Sequence, residues 1–208
     1  MGHEKVTTHT IQKETSMKSP FFISYLITDP DEFGNTPEEL KRNLSKALTR
    51  FDVDILCFRD KKTLNKKILA QTCLEIGRKY KVPKILINSE IELCTELGFD
   101  GIHLNSSQFY LLKDMKQKEL FTMISCHTEE DILLAKKYKS DAVTYSPIFF
   151  KKDKGKPKGL DNLKDIVSKY QQEDFWVIAL GGITDAENVK SVIQTGAKGF
   201  ASIRYFKI

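Results

Sequence analysis

From Phe22 to Ser202 the chain alternates short apolar runs with stretches whose apolar residues recur three and four positions apart, and there are eight such runs. They are Phe22–Thr28, Asp54–Arg59, Lys84–Asn88, Gly101–Asn105, Phe121–His127, Ala142–Phe149, one beginning at Trp176, and one ending near Arg204. A run of four to eight residues that is apolar on successive positions reads as a strand buried on both faces. That is the signature of a parallel sheet covered by helices. Strict strand–helix alternation implies an α/β class, and eight units imply a (β/α)8 TIM barrel, with a doubly wound open sheet as the alternative.

The helical stretches carry their own punctuation. Thr36 and Pro37 open one with an N-cap and a proline at its first position, and Leu40, Leu44, Ala47 and Leu48 form its apolar face. A second is expected over Thr63–Tyr80 on the spacing of Leu64, Ile68, Leu69, Cys73 and Ile76. A short helix passes through Leu93 and Leu97, Thr128 caps a helix opened by three acids, and another spans Leu160–Tyr170. Only Tyr205 to Ile208 follow the last strand, so the closing helix is short or missing. Residues 1–20 are polar and without period, and read as a flexible N-terminal extension to a barrel over 21–208.

Lys and Arg number 33 against 28 Asp and Glu, a formal charge of +5 spread along the chain rather than gathered on one element. With no nucleic-acid-binding motif, that balance gives no reason to expect a nucleic-acid partner. No apolar run reaches the roughly 18 residues of a membrane span, and no signal-peptide core opens the chain. Cys57, Cys73, Cys94 and Cys126 show no C-x-x-C spacing and read as buried thiols of a cytoplasmic protein. The four histidines form no metal-ligand pattern, and no metal is expected. A homodimer is compatible with this composition.

Barrel chemistry sits where strands end. Those ends carry Thr28 and Asp29, then Arg59 and Lys61 around Asp60, Asn88, His103 with Asn105, Ser125 with His127, Ser146, Gly181 with Gly182, and Ser202, Ile203 and Arg204. The glycine pair after the seventh strand, with a helix following, suits a phosphate held by backbone N–H groups and a helix N-terminus. Arg59 and Lys61 suit a phosphate or a carboxylate, or else a surface ion pair. The basic stretch 151–159, with Lys154 at its middle, reads equally as a lid over an anion and as a solvated loop. His127 is the candidate proton carrier, because imidazole is the side chain that ordinarily titrates near neutrality.

At these residues the chain resembles the thiamine-phosphate synthase / TenI family of TIM barrels, from Phe21 to Phe206. Tyr25-Leu26-Ile27-Thr28-Asp29 is similar to its Y-L-I-T-D, Arg59-Asp60-Lys61 to its R-E-K, and Asp100-Gly101-Ile102-His103-Leu104 to its D-G-V-H-L. Ser125-Cys126-His127-Thr128 is similar to S-x-H-S/T, Ser146-Pro147-Ile148-Phe149 to G-P-I/V-F/Y, and Ala179 to Thr184 to A/G-I/L-G-G-I-T.

The resemblance implies one of two chemistries. The synthase branch joins a pyrimidine diphosphate to a thiazole phosphate and holds Mg²⁺ with two aspartates. Here Ser89, followed by Glu90, and Gln108 occupy those two places, and Cys57 stands where the synthase has a pyrimidine-contacting Gln. Loss of both carboxylates removes the hard anionic ligands that Mg²⁺ requires. That pattern resembles the TenI branch, which aromatises a thiazole carboxylate phosphate tautomer without a metal and assigns proton transfer to the residue matching His127.

On this reading Ser202, Arg204 and the backbone at Gly181 and Gly182 hold the phosphate, and Arg59 and Lys61 face the carboxylate. Arg204 departs from the small residue usual at its place. A thiamine-phosphate synthase with altered Mg²⁺ ligands, and a non-catalytic binder of a thiazole or thiamine phosphate, remain the alternatives.

Overall fold

A computed structural model describes residues 22–150 and 155–208; the extension read over 1–20, and Lys154, lie outside the described residues. Eight strands form one closed, all-parallel barrel in sequential order. They are β1 Ile23–Ile27, β2 Ile55–Phe58, β3 Lys84–Asn88, β4 Gly101–Leu104, β5 Phe121–Cys126, β6 Ala142–Tyr145, β7 Trp176–Leu180 and β8 Gly199–Ser202. The TIM-barrel reading holds, and the open sheet is excluded by the pairing of β8 with β1, Ile23 against Gly199 and Tyr25 against Ala201.

Alternate residues of each strand serve two cores. Tyr25, Ile27, Ile55, Cys57, Leu86, Met123, Ile178 and Ala201 pack inside the barrel. Leu26, Leu56, Phe58, Ile85, Ile87 and their neighbours pack outward against the helices. This is why the strands read as unbroken apolar runs. Where two strands come closest, glycine is required: a Cβ at Gly101 would stand 2.1 Å from the Phe121 carbonyl oxygen, and one at Gly199 would stand 2.3 Å from that of Ile23.

The helices are α1 Pro30–Phe33, α2 Pro37–Arg50, α3 Lys66–Lys79, α4 Ile91–Leu97, α5 Leu112–Gln117, α6 Glu129–Lys137, α7 Gly159–Tyr170 and α8 Ala186–Ile193. Thr36 accepts from the Glu39 N–H at the start of α2, and Thr128 and Asp131 form a capping box on α6.

Three elements differ from the sequence expectation. α3 starts at Lys66 rather than Thr63, because Asp60 Oδ1 accepts from the Lys62 and Thr63 N–H groups and holds 61–65 as a turn. That leaves Leu64 at 102% and Ile68 at 52% exposure instead of on the core face. β6 stops at Tyr145 rather than Phe149, before a cis Ser146–Pro147 bond, where Pro147 brings no N–H to the ladder. The helix between β4 and β5, given no bounds from the sequence, is a 3₁₀ turn at Phe109–Leu111 followed by the short α5.

After β8 comes a single 3₁₀ turn, Arg204–Phe206. Phe206 is fully buried, stacked on Phe200 at 5.7 Å between ring centroids and edge-on to Phe51 at 5.5 Å. Lys207 ties this end of the chain to α1 through an ion pair with Glu32 at 2.7 Å.

Candidate active site

A cleft of about 680 Å³ opens where the strands end. Of the residues singled out from sequence, Arg59, Lys61, Asn88, His103, Ser125, His127, Ser146, Gly181 and Ile203 line it. Gly182, Ser202 and Arg204 are not among its lining residues. Ser202 Oγ donates to the Ile183 carbonyl at 2.7 Å and accepts from the Tyr205 N–H at 3.1 Å, so its hydroxyl ties β8 to the loop after β7. Arg204 is exposed on the 3₁₀ turn. Lys156 and Lys158, of the basic stretch, line the cleft alongside Asn105, Ser106 and Ser107. The signal for these was the run of lysines itself and the polar triplet after His103, neither of which has a motif's specificity.

The lining is electrostatically one-sided. Among the described residues, Arg59, Lys61, Lys156 and Lys158 contribute four cations to the lining and no Asp or Glu does. Asp29, next to Arg59, is turned to other tasks: it accepts from Arg59 Nη1 in an ion pair, and from the Asp31 N–H as the N-cap of α1. Asp60 carries the β2–α3 turn. Burial pushes its carboxyl up, but hydrogen bonds from Thr63 and Lys62 together outweigh that and hold it below the usual range. Such a surface suits an anionic ligand.

His127 ends the β5 side of the cleft. Its Nδ1 lies 3.1 Å from the Ser146 carbonyl oxygen and 3.3 Å from Ser146 Oγ. A carbonyl can only accept, so Nδ1 carries the proton, and in the neutral ring Nε2 is the basic nitrogen. The backbone N–H of His127 donates to Asp131 Oδ2 at 2.7 Å, which fixes the residue to the first turn of α6.

His103 is a different kind of histidine. It is 3% exposed, with Nδ1 2.7 Å from Tyr25 Oη and Nε2 3.1 Å from Ser125 Oγ and 3.4 Å from Thr144 Oγ1. Burial, assisted by the Arg59 charge, lowers its pKa to about 3, so it is neutral at physiological pH. Asn88 Nδ2 donates to the His103 carbonyl at 2.8 Å and aligns β3 with β4 at the cleft floor.

Gly181 and Gly182 sit in left-handed conformations, φ 99° and 74°. A Cβ at Gly181 would stand 2.8 Å from Pro147 Cα, and one at Gly182 would stand 2.7 Å from Phe149 Cβ. Their smallness lets the loop after β7 lie against the loop after β6, and the Phe149 N–H donates to the Gly181 carbonyl at 3.0 Å. The first amides of α8 are partly taken by its own cap, with Asp185 accepting from Asn188.

The residues at the two Mg²⁺-ligand places do not fit a divalent cation. Ser89 Oγ accepts from Asn105 Nδ2 at 3.3 Å, and Gln108 Oε1 accepts from the Asn105 N–H at 3.0 Å, a neutral set already engaged with itself. Glu90 is paired with Lys66 at 2.6 Å. Among the described residues no group of three or more His, Cys, Asp or Glu is placed to hold a metal ion.

A family model described as thiamine monophosphate synthase matches residues 24–206. The putative thiamine-phosphate synthase 2 of Aquifex aeolicus (strain VF5) is 31% identical over 188 residues, covering 88% of this chain and 96% of that protein. The thiamine-phosphate synthase of Koribacter versatilis (strain Ellin345) is 32% identical over 187 residues, with 86% of each chain covered. A thiamine phosphate pyrophosphorylase from Pyrococcus furiosus superposes with a TM-score of 0.73 at 20% identity, over 87% of this chain and 85% of that one, a likeness of fold.

Proposed function

We propose that this chain, which belongs to the thiamine monophosphate synthase family of thiamine biosynthesis, is a cytoplasmic, metal-independent tautomerase that aromatises a thiazole carboxylate phosphate. The observation that supports this reading is the cleft lining, which among the described residues holds four cations and two imidazoles and no carboxylate. Phosphate and carboxylate together bring about three negative charges, and a lining rich in cations attracts them, with the Arg59 charge shared with Asp29. No helix among the described residues is long and apolar enough to cross a membrane.

Aromatisation by tautomerisation removes one proton from a ring carbon and returns one elsewhere on the conjugated system, with no change in composition. His127 suits both halves: Nε2 takes the proton, and the imidazolium, steadied through Nδ1 by Ser146, gives it back. Arg59 and Lys61 on one side, and Lys156, Lys158 and the loop at Gly181 on the other, hold the two anionic ends. His103, neutral and buried, takes no part in the transfer.

The test is an assay of the purified full chain on the non-aromatic tautomer with chelator present. Conversion without divalent ion is expected; its absence would remove the reading. That these relatives are thiamine-phosphate synthases favours a second reading, coupling of a pyrimidine diphosphate to a thiazole phosphate. Product formed only with Mg²⁺ would establish it, and would mean that Glu90 leaves Lys66 to serve as a ligand.

A further inference from the structure

The interior of the barrel carries a line of polar groups that ends at the cleft floor. Tyr25 Oη is fully buried and lies 2.7 Å from His103 Nδ1. His103 Nε2 in turn lies 3.1 Å from Ser125 Oγ and 3.4 Å from Thr144 Oγ1. Ser125 and His103 line the cleft, whereas Tyr25 and Thr144 do not.

The protons in this line can be placed by elimination. Burial raises the Tyr25 phenol well above its ordinary pKa, so it keeps its proton and must donate it. Two acceptors are in reach: the imidazole nitrogen, and the Cys57 sulfur, whose thiol burial pushes up to about 12 and which itself donates to the Phe58 carbonyl at 3.6 Å. Thiol sulfur is a weak acceptor, and imidazole nitrogen is a strong one. Tyr25 therefore donates to Nδ1. A neutral imidazole with Nδ1 accepting carries its one hydrogen on Nε2, which must donate to Ser125 Oγ and, more weakly, to Thr144 Oγ1. Ser125 Oγ, having accepted from below, keeps its own O–H to give upward.

We propose that His103 is a positioning residue: pinned by Tyr25 in the Nε2–H form, it holds Ser125 as a hydrogen-bond donor aimed into the cleft. The ligand then presents an acceptor above Ser125, a carboxylate oxygen or a heteroaromatic ring nitrogen. The choice of ligand rests on the thiazole reading above, whereas the proton arrangement does not. Ser125 and His127, two residues apart on β5, divide the work: one holds an acceptor atom of the ligand, and the other moves the proton.

The experiment is a long-range ¹H–¹⁵N correlation spectrum of the full chain labelled at histidine, with His103 assigned by the loss of its signals in His103→Gln. The expected wild-type pattern at neutral pH is an unprotonated Nδ1 and a protonated Nε2. In Tyr25→Phe the ring nitrogens move toward the average of two tautomers while the backbone amide spectrum is kept, a change that simple loss of packing would not produce. Ser125→Ala leaves the His103 pattern in place and weakens binding of the thiazole carboxylate phosphate about tenfold, and Ser125→Thr restores it.

A wild-type ring protonated at Nδ1, or unchanged ring signals in Tyr25→Phe, would overturn the arrangement, and the wild-type spectrum decides it even if Tyr25→Phe does not fold. Equal ligand affinity in Ser125→Ala would overturn the donor role. Failure of the wild type to bind that ligand would instead overturn the thiazole reading, and Ser125's role toward it, with the tautomer still decided by the spectrum.

Discussion

Lys66 Nζ stands 2.6 Å from Glu90 Oε1, so the carboxylate adjoining the lost Mg²⁺ ligand position is matched by a cation from α3. With this carboxylate engaged, two added aspartates are the direct way to offer Mg²⁺ hard anionic ligands here. Ser89 has φ 63°, a conformation that Asp tolerates better than most residues, which makes Ser89→Asp a mild change. The double variant Ser89→Asp with Gln108→Asp is expected to bind a pyrimidine diphosphate in a Mg²⁺-dependent manner where the wild type does not. Calorimetry with and without Mg²⁺ checks it; equal Mg²⁺ dependence in both proteins would show that the natural residues already suffice.

Removing the His127 imidazole is expected to lower turnover at least about a hundredfold while changing affinity for the thiazole carboxylate phosphate by no more than about threefold. His127→Ala and His127→Asn are the variants, and steady-state kinetics beside a binding titration separates the two effects. Parallel loss of binding and turnover would make His127 a holding residue instead.

His103 makes stability depend on acidity in a defined direction. Its folded pKa is about 3, against an ordinary value near 6.5. Above pH 6.5 both folded and unfolded chains hold it neutral, and it contributes no slope. As pH falls from 6.5 toward 3, the unfolded chain takes up a proton that the native state refuses, and stability is lost at up to about 1.4 kcal/mol per pH unit. Urea midpoints of wild type and His103→Gln across that window provide the check. The wild type is expected to show the steeper fall, and parallel curves would contradict it.

At the tightest strand crossing, Gly101→Ala places a Cβ 2.1 Å from the Phe121 carbonyl oxygen, a backbone atom that cannot move without spreading β4 from β5. The expected cost is about 1–3 kcal/mol, or several degrees of melting temperature for a chain of this size. Thermal unfolding followed by circular dichroism reads it.

Phe206 anchors the 3₁₀ turn after β8 in the core. Phe206→Ala empties a fully buried site between Phe200 and Phe51 and is expected to cost about 3–5 kcal/mol, against about 1–2 kcal/mol for Phe206→Leu or Phe206→Met, which keep most of the volume. Chemical denaturation of the three proteins measures the difference.

What could be read from sequence followed from how local each cause is. Strands buried on two faces are apolar at most positions, so Ile85, Leu86 and Ile87 announce β3 without any knowledge of neighbours. Caps such as Thr36 and Thr128 act within four residues, and they too were legible. The start of α3 was not, because it depends on Asp60 folding back on Lys62 and Thr63, which leaves the apolar Leu64 in solvent against its periodicity.

The site divided along the same line. Strand-end residues such as Arg59, Ser125 and His127 were found because a barrel gathers strand ends whatever the loops do. That Ser202 spends its hydroxyl on Ile183, and that Lys156 and Lys158 reach the cleft, depends on loop paths set by tertiary contacts.

The loops after β6 and β7 meet where Gly181 faces Pro147 and Gly182 faces Phe149, closer than any side chain allows. One wall of the cleft is thus a single inheritable unit in two pieces of chain. A side chain at either glycine would meet the backbone of 147–149 and would be strained by its own positive φ, so no change at 147 or 149 makes room for it. The junction between these two loops is therefore fixed in shape, and variation on this side is left to the side chains around it.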